Sequence, residues 1–186
     1  YSELEFKEML SDIHFCKEVG CDGVVIGLLN VDGTVDIERN EQLMKAARPM
    51  HVTFHRAFDK CLDPFIALDE LIELGVDRVL TSGLQNTALE GLNLLTELID
   101  YAQDKITIMP GAGVNALNIA QILVESKAIA IHSSAKVNVS SAMSYDRRDV
   151  AGMNEAVFST SLEKVQELIE IIKKAGIHPA PETLSQ

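Results

Sequence analysis

The chain has 186 residues and three cysteines, and its formal net charge at pH 7 is −12. This acidic balance argues against nucleic acid and anionic membranes as partners, since both require clustered lysines and arginines. Three cysteines at unmatched spacings argue against a disulfide framework and fit a reducing, intracellular compartment. The sequence contains neither a signal peptide pattern nor an apolar run long enough to cross a bilayer. The length fits one domain with a sizeable core.

The predicted elements alternate between helix and strand from the start of the chain. A helix over residues 2–18 has Ser2 as its N-cap and apolar residues at spacings of three and four. An apolar strand is predicted at 23–28, a short helix at 36–47 and a second strand at 52–54. Asp63 and Pro64 have the pattern of an N-cap followed by proline, and they begin a helix that ends at Gly75.

The second half of the chain repeats this plan. Strands are predicted at 78–83, 106–109 and 128–132, and helices at 88–103, from Asn115 to about residue 123, and at 162–175. Residues 136–161 form a polar segment far longer than a usual connection between strand and helix. We expect this long loop to be either a lid or partly disordered.

The spacing of the strands predicts the fold class. The five strands recur about every 26 residues and are apolar on both faces, which is typical of buried parallel strands. The sequence therefore predicts an α/β fold in which five parallel strands lie side by side in chain order, with six helices outside. In such folds the ligand site lies beyond the carboxyl ends of the strands.

Small or polar residues follow several of the predicted strands. A glycine turn at Gly111 and Gly113 stands before a helix, where backbone N–H groups can face an anion. The other candidates for ligand binding are Arg56, Ser82, Ser133 and Ser134. We predict that these exits, together with His55, converge on one pocket that binds a small anion.

His55, Arg56 and Asp59 are the candidate catalytic residues, and two interpretations of them remain open. In the first, His55 acts as an acid, a base or a metal ligand, Arg56 holds an anion, and Asp59 orients either. In the second, Arg56 and Asp59 form a structural ion pair and His55 is a hydrogen-bonded structural residue. Strand alternation sends adjacent side chains to opposite faces, so only one of His55 and Arg56 can point into a barrel mouth.

Other titratable residues are expected to be structural. His132 has the pattern of a core or rim histidine. Cys16 and Cys21 span a helix end and are predicted to be a poor chelate, with Cys16 in the core. The sequence contains no zinc, P-loop or serine hydrolase motif, so no metal ligands and no reaction are assigned.

Four segments together closely resemble the CutC family of copper homeostasis proteins. They are VTFHRAFD at 52–59, RVLTSG at 78–83, IMPGAG at 108–113 and IHSS at 131–134, and the resemblance covers nearly the whole chain. It implies a TIM-type (β/α)8 barrel, a cytoplasmic location, and a role in copper homeostasis with copper binding. Copper, as Cu(I), is the only cofactor that it implies.

The resemblance also bears on how much of the barrel is present. Residues 1–186 are expected to form a single barrel domain that is N-terminally incomplete, because five strands cannot close an eight-stranded barrel. Cysteines suggested as copper ligands in some family members lie upstream of Tyr1, so none is carried over to this chain. The alternative function is a barrel enzyme acting on a small anionic or phosphorylated metabolite. Whether the protein is an enzyme, and whether it forms a homo-oligomer, stay open.

Overall fold

A computed structural model describes residues 1–141, 143–145 and 157–176. Helices α1 to α5 are Glu3–Glu18, Ile37–Ala47, Pro64–Glu73, Leu92–Ala102 and Ile119–Ser126, and α6 is Leu162–Lys174. Strands β1 to β4 are Gly23–Ile26, His51–Phe54, Arg78–Thr81 and Thr107–Pro110. Two further strands, β5 (Lys136–Val139) and β6 (Val157–Thr160), follow, and a 3-10 turn spans Arg56–Lys60.

The core is a four-stranded parallel sheet in the order β1-β2-β3-β4. In β1 and β2, Val24 pairs with Val52 and Ile26 with Phe54. Helices cover one face of this sheet, where Val52, Phe54 and Val79 are fully buried. The opposite face is only partly covered, and Val25 at the edge of the sheet is 62% exposed. Parallel strands with one face under helices follow from the β/α alternation of the sequence.

The predicted strand at 128–132 is wrong, because these residues form no regular strand in the structure. One bond, from the His132 N–H to the Pro110 carbonyl at 2.9 Å, still ties this segment to the end of β4. Pro110 has no N–H to donate in return, so the ladder cannot continue there. The sheet therefore has four parallel strands where the sequence predicted five.

The predicted long loop at 136–161 contains regular structure at both ends. There β5 and β6 pair as an antiparallel ribbon, with Lys136 opposite Thr160 and Val139 opposite Val157. Residues 142 and 146–156 lie outside the described part of the chain. The prediction of an irregular loop is thus wrong for the two ribbon strands.

Two further boundaries differ from the sequence prediction for local reasons. The strand at 23–28 ends early because the buried side chain of Asn40 takes both backbone groups of Leu28, donating to its carbonyl at 2.8 Å and accepting from its N–H at 3.3 Å. The helix predicted from residue 88 begins at Leu92. Bends and turns at 83–91 precede it, and Gly91 at their end packs against the backbone of Ser82.

Candidate functional site

The candidate site lies where the parallel strands end. Arg56 begins the 3-10 turn two residues after β2, Ser82 follows β3 directly, and Gly111 follows β4 directly. Because β2, β3 and β4 are neighbours that run in the same direction, these residues reach one edge of the sheet. The fold therefore supplies a common edge for side chains that are far apart in sequence.

Asp59 organises this edge. The 3-10 turn places it three residues after Arg56, and its carboxylate folds over the end of β3 with 7% of the side chain exposed. It accepts hydrogen bonds from the Thr81 hydroxyl at 2.5 Å, the Ser82 N–H at 3.0 Å and the Leu84 N–H at 3.2 Å. It also accepts from Arg56 Nε at 2.6 Å. These donors use most of the acceptor positions of a carboxylate, so Asp59 has a structural environment and not that of a general base.

Arg56 is held in place from two sides. Its Nε donates to Asp59, and its Nη2 donates to Ser82 Oγ at 2.9 Å. The side chain remains 44% exposed. Ser82 itself is buried, and its hydroxyl lies within 3.0 Å of the Asp59 carboxylate. A guanidinium fixed in this way keeps an outer edge for an anionic ligand at little further cost in side-chain entropy.

A cavity of about 820 Å³ lies in front of Arg56. Three cationic side chains line it, those of Arg56, Lys136 and Lys164, against one carboxylate, that of Glu167. Its remaining polar lining includes Gly113, Asn115, His132, Ser133 and Ser134, and its apolar lining includes Leu80, Val114, Leu117 and Leu168. This volume and this mixture of lining groups fit a small ligand with negative charge.

Two of the predicted ligand groups are committed to the protein itself. The Gly111 N–H donates to the Thr81 carbonyl at 2.9 Å, so it belongs to the backbone ladder. A side chain there would contact Leu80 Cδ1 at 2.5 Å, which explains the glycine. The Ser133 hydroxyl donates to the Val114 carbonyl at 2.8 Å. Gly113 has a positive φ of 69° and precedes α5 by several residues, so the glycine turn does not lead directly into the helix as predicted.

His55 belongs to another part of the molecule. It lines a second cavity of about 470 Å³ together with residues of α1 and β1, among them Met9, Asp12 and Cys16. Its Nδ1 accepts the Ala57 N–H at 3.1 Å and so caps the 3-10 turn. Burial lowers the pKa of His55, which keeps the ring neutral at physiological pH. His55 and Arg56 therefore line different cavities, in keeping with strand alternation.

The described residues contain no group of three or more His, Cys, Asp or Glu side chains that could hold a metal ion. None of the helices in this part of the chain is long and apolar enough to span a bilayer. The three thiols are free, with Cys61 buried, Cys16 half-buried and Cys21 exposed. Burial raises the pKa of Cys61 to about 11, so this thiol stays protonated.

The sequence profile of the CutC family matches residues 1–137. The chain belongs to the CutC family. A CutC family protein of Parabacteroides distasonis is 46% identical over 173 residues, which are 93% of this chain and 71% of that protein. The mouse protein named copper homeostasis protein cutC homolog is 45% identical over 151 residues, 81% of this chain and 56% of its own length.

A solved structure gives the same result for the fold. The crystal structure of a CutC protein from Streptococcus agalactiae has a TM-score of 0.68 and 34% identity, and the match covers 71% of this chain and 65% of that one. The predicted family and the predicted α/β fold of the TIM type are thereby confirmed. The chain spans 65% of that structure, so the activity and the partners of the whole protein are matters of proposal.

The structure brings together Arg56, Gly113, Ser133 and Ser134 around one cavity and leaves His55 outside it. The sequence analysis overlooked Lys164 at this cavity and Thr81 as a partner of Asp59. Lys164 lies in the first turn of α6, beyond a segment without sequence periodicity, and no pattern linked it to β2. Thr81 lies at a strand exit, and no sequence pattern linked it to Asp59, which stands 22 residues earlier in the chain.

Proposed function

We propose that this chain serves in copper homeostasis in the cytoplasm and handles copper as Cu(I). The observation that carries the proposal is the family match over residues 1–137, taken with the name of the mouse relative. Three free thiols in the chain fit a reducing compartment, where copper is present as Cu(I). Cu(I) prefers the soft thiolate, thioether and imidazole donors that the chain offers in its cysteines, methionines and histidines.

A competition titration tests this proposal. Purified protein of residues 1–186 is titrated under nitrogen against a Cu(I)–bicinchoninate complex, with Zn²⁺ and a zinc indicator as the comparison. We expect the protein to withdraw Cu(I) from the chelator and to leave Zn²⁺ with its indicator. Failure to withdraw Cu(I), together with unchanged copper tolerance of cells that lack the gene, would contradict a role in copper homeostasis.

The cavity at the strand ends supports a second candidate function, the binding of a small anion. Arg56, Lys136 and Lys164 line the same cavity although the chain as a whole has a net charge of −12. Lys164 Nζ donates to the Lys136 carbonyl at 3.0 Å, so α6 and the ribbon hold the two lysines near each other. We infer a carboxylate or phosphoryl group as the ligand, because a fixed guanidinium flanked by ammonium groups suits such anions.

The cavity supports binding more strongly than it supports a reaction. The Asp59 carboxylate accepts hydrogen bonds from protein donors, and His55 lines the cavity of about 470 Å³. Among the described residues that line the large cavity, the titratable groups besides the two lysines and Arg56 are His132 and Glu167. We therefore propose an anion-binding site formed by Arg56, Lys136, Lys164, Gly113 and Ser134, in which Ser82 and Asp59 position Arg56.

Inorganic phosphate and pyrophosphate are the probes for this second candidate. Isothermal titration of the wild type is compared with Arg56→Gln and with the control Arg78→Gln, since Arg78 is exposed at the opposite end of β3. We expect Arg56→Gln to weaken binding about 10- to 100-fold, because a hydrogen bond to a charged group contributes about 1.5–3 kcal/mol. Equal affinities of the two variants would exclude Arg56 from the site.

A further inference from the structure

The turn that ends α1 brings the backbones of Cys16 and Cys21 together. The Cys21 N–H donates to the Cys16 carbonyl at 2.9 Å, and the Gly20 N–H donates to the Lys17 carbonyl at 3.3 Å. Gly20 has a φ of 79°, in the left-handed region. These are the three marks of a Schellman motif, and in that motif the side chains at the positions of Cys16 and Cys21 commonly contact each other. The sequence prediction of a poor chelate overlooked this turn.

Helix α3 shows which side chains usually occupy the two contact positions of a Schellman motif. Helix α3 ends in the same motif, with the Val76 N–H bonded to the Leu71 carbonyl at 3.0 Å and Gly75 at a φ of 76°. Leu71 and Val76 hold the two contact positions there, and they are 0% and 2% exposed. An apolar pair in the core is the ordinary occupant. In α1 both positions are cysteine, and Cys21 is exposed.

The two cysteines are reachable from solvent, because Cys21 is exposed and Cys16 is half-buried. Cys16 also lines the cavity of about 470 Å³ that it shares with Met9 and Asp12, so one side of the pair faces open space. A metal ion can therefore approach the pair without unfolding α1.

A site with two sulfur ligands suits some metal ions better than others. Zn²⁺ in structural sites takes four ligands, and the described residues hold no group of three or more His, Cys, Asp or Glu side chains around this pair. Cu(I) is a soft d¹⁰ ion that forms stable complexes with two thiolates alone. The chemistry of the pair thus fits Cu(I) and disfavours Zn²⁺.

We propose that Cys16 and Cys21 together bind one Cu(I) ion as thiolates. Two Cu–S bonds form, each thiol releases its proton to solvent, and no electron is transferred. This inference rests on the proposed function in copper homeostasis and assigns that function a site. The Schellman motif preorganises the pair, because the backbone bonds hold both residues before the ion arrives.

The test uses the chain of residues 1–186 and a Cu(I)–bicinchoninate competition under nitrogen. We expect the wild type to withdraw one equivalent of Cu(I) with a charge-transfer absorption from sulfur. The double variant Cys16→Ser/Cys21→Ser should bind at least 100-fold more weakly. The control Cys61→Ala should bind like the wild type, because that thiol is buried at the end of the 3-10 turn.

A second measurement works on the wild type alone and does not depend on how the variants fold. Iodoacetamide labelling followed by mass spectrometry should show that one equivalent of Cu(I) protects Cys16 and Cys21 as a pair. Wild-type Cu(I) binding without this protection, or an unchanged affinity of the double variant, would overturn the site and leave the role in copper homeostasis intact. A wild type that withdraws no Cu(I) would overturn the site, and it would overturn the role in copper homeostasis as well if cells that lack the gene keep an unchanged copper tolerance.

Discussion

Asp59→Ala is predicted to destabilise the fold severely, although Asp59 lies next to an exposed turn. The substitution removes the acceptor of the Ser82 and Leu84 N–H groups at 3.0 and 3.2 Å, and that of the Thr81 hydroxyl at 2.5 Å. A buried donor left without its acceptor costs about 1–3 kcal/mol. The Arg56 guanidinium is half exposed and can hydrogen-bond to water instead, so loss of its ion pair with Asp59 adds little to the cost in stability. We therefore expect a loss of about 3–5 kcal/mol in the free energy of unfolding.

Urea unfolding followed by far-UV circular dichroism measures this loss, with an unchanged m-value as the check on two-state behaviour. Asp63→Ala is the matched control, because Asp63 caps α3 by accepting from the Phe65 and Ile66 N–H groups at an exposed site. Its loss should cost about 1 kcal/mol. If Asp59→Ala does not fold, Asp59→Asn should show an intermediate loss. Equal costs at Asp59 and Asp63 would refute the argument from buried donors.

Two further predictions concern a close backbone contact and a titration. Gly91→Ala should prevent stable folding, because its Cβ would lie 1.9 Å from the Ser82 carbonyl oxygen. The control Gly20→Ala meets no atom within 4 Å and should cost about 1 kcal/mol through its left-handed backbone. Thermal melting compares the two variants, and equal melting temperatures would contradict the prediction. Because the pKa of His55 is lowered in the folded protein, the unfolded chain binds the proton first as the pH falls. The free energy of unfolding is therefore highest above the ordinary His pKa of 6.5 and decreases as the pH drops below it. The decrease ends below the lowered pKa of the folded state. His55→Asn keeps an acceptor that can cap the 3-10 turn, and urea titrations should show that it loses less stability than the wild type between pH 7 and pH 5. Equal losses would show that His55 is not the group responsible.

The sequence predicted the fold well where local pattern and packing agree. The four parallel strands lie where apolar runs follow helical segments. The strand at 128–132 has the same signature and still does not join the ladder. Pairing depends on the partner strand, and β4 ends in Pro110, which cannot donate. A pattern within one segment carries no information about this.

The candidate site was less predictable because its contacts join distant segments. The sequence placed Arg56 at a strand exit, and it lines the large cavity there. The Asp59 carboxylate, in contrast, contacts residues 22 to 25 positions further along the chain. The Gly111 N–H was predicted to face a ligand, yet it completes the ladder with Thr81. Which backbone groups remain for a ligand is decided only when neighbouring strands have paired.

The two proposed sites are formed by different residues, so we expect them to bind their ligands independently. Cys21 precedes β1 and Arg56 follows β2, so these two residues lie at opposite ends of the parallel sheet, and the cavity that Cys16 lines is not the one that Arg56 lines. Strands of four residues separate these ends by about 13 Å at 3.3 Å per residue. The soft donors therefore stand apart from the cationic cavity, where a Cu(I) ion would meet repulsion from Arg56 and two lysines. We expect anion binding at Arg56 and Cu(I) binding at the two cysteines to leave each other unchanged, because neither proposed site uses a residue of the other.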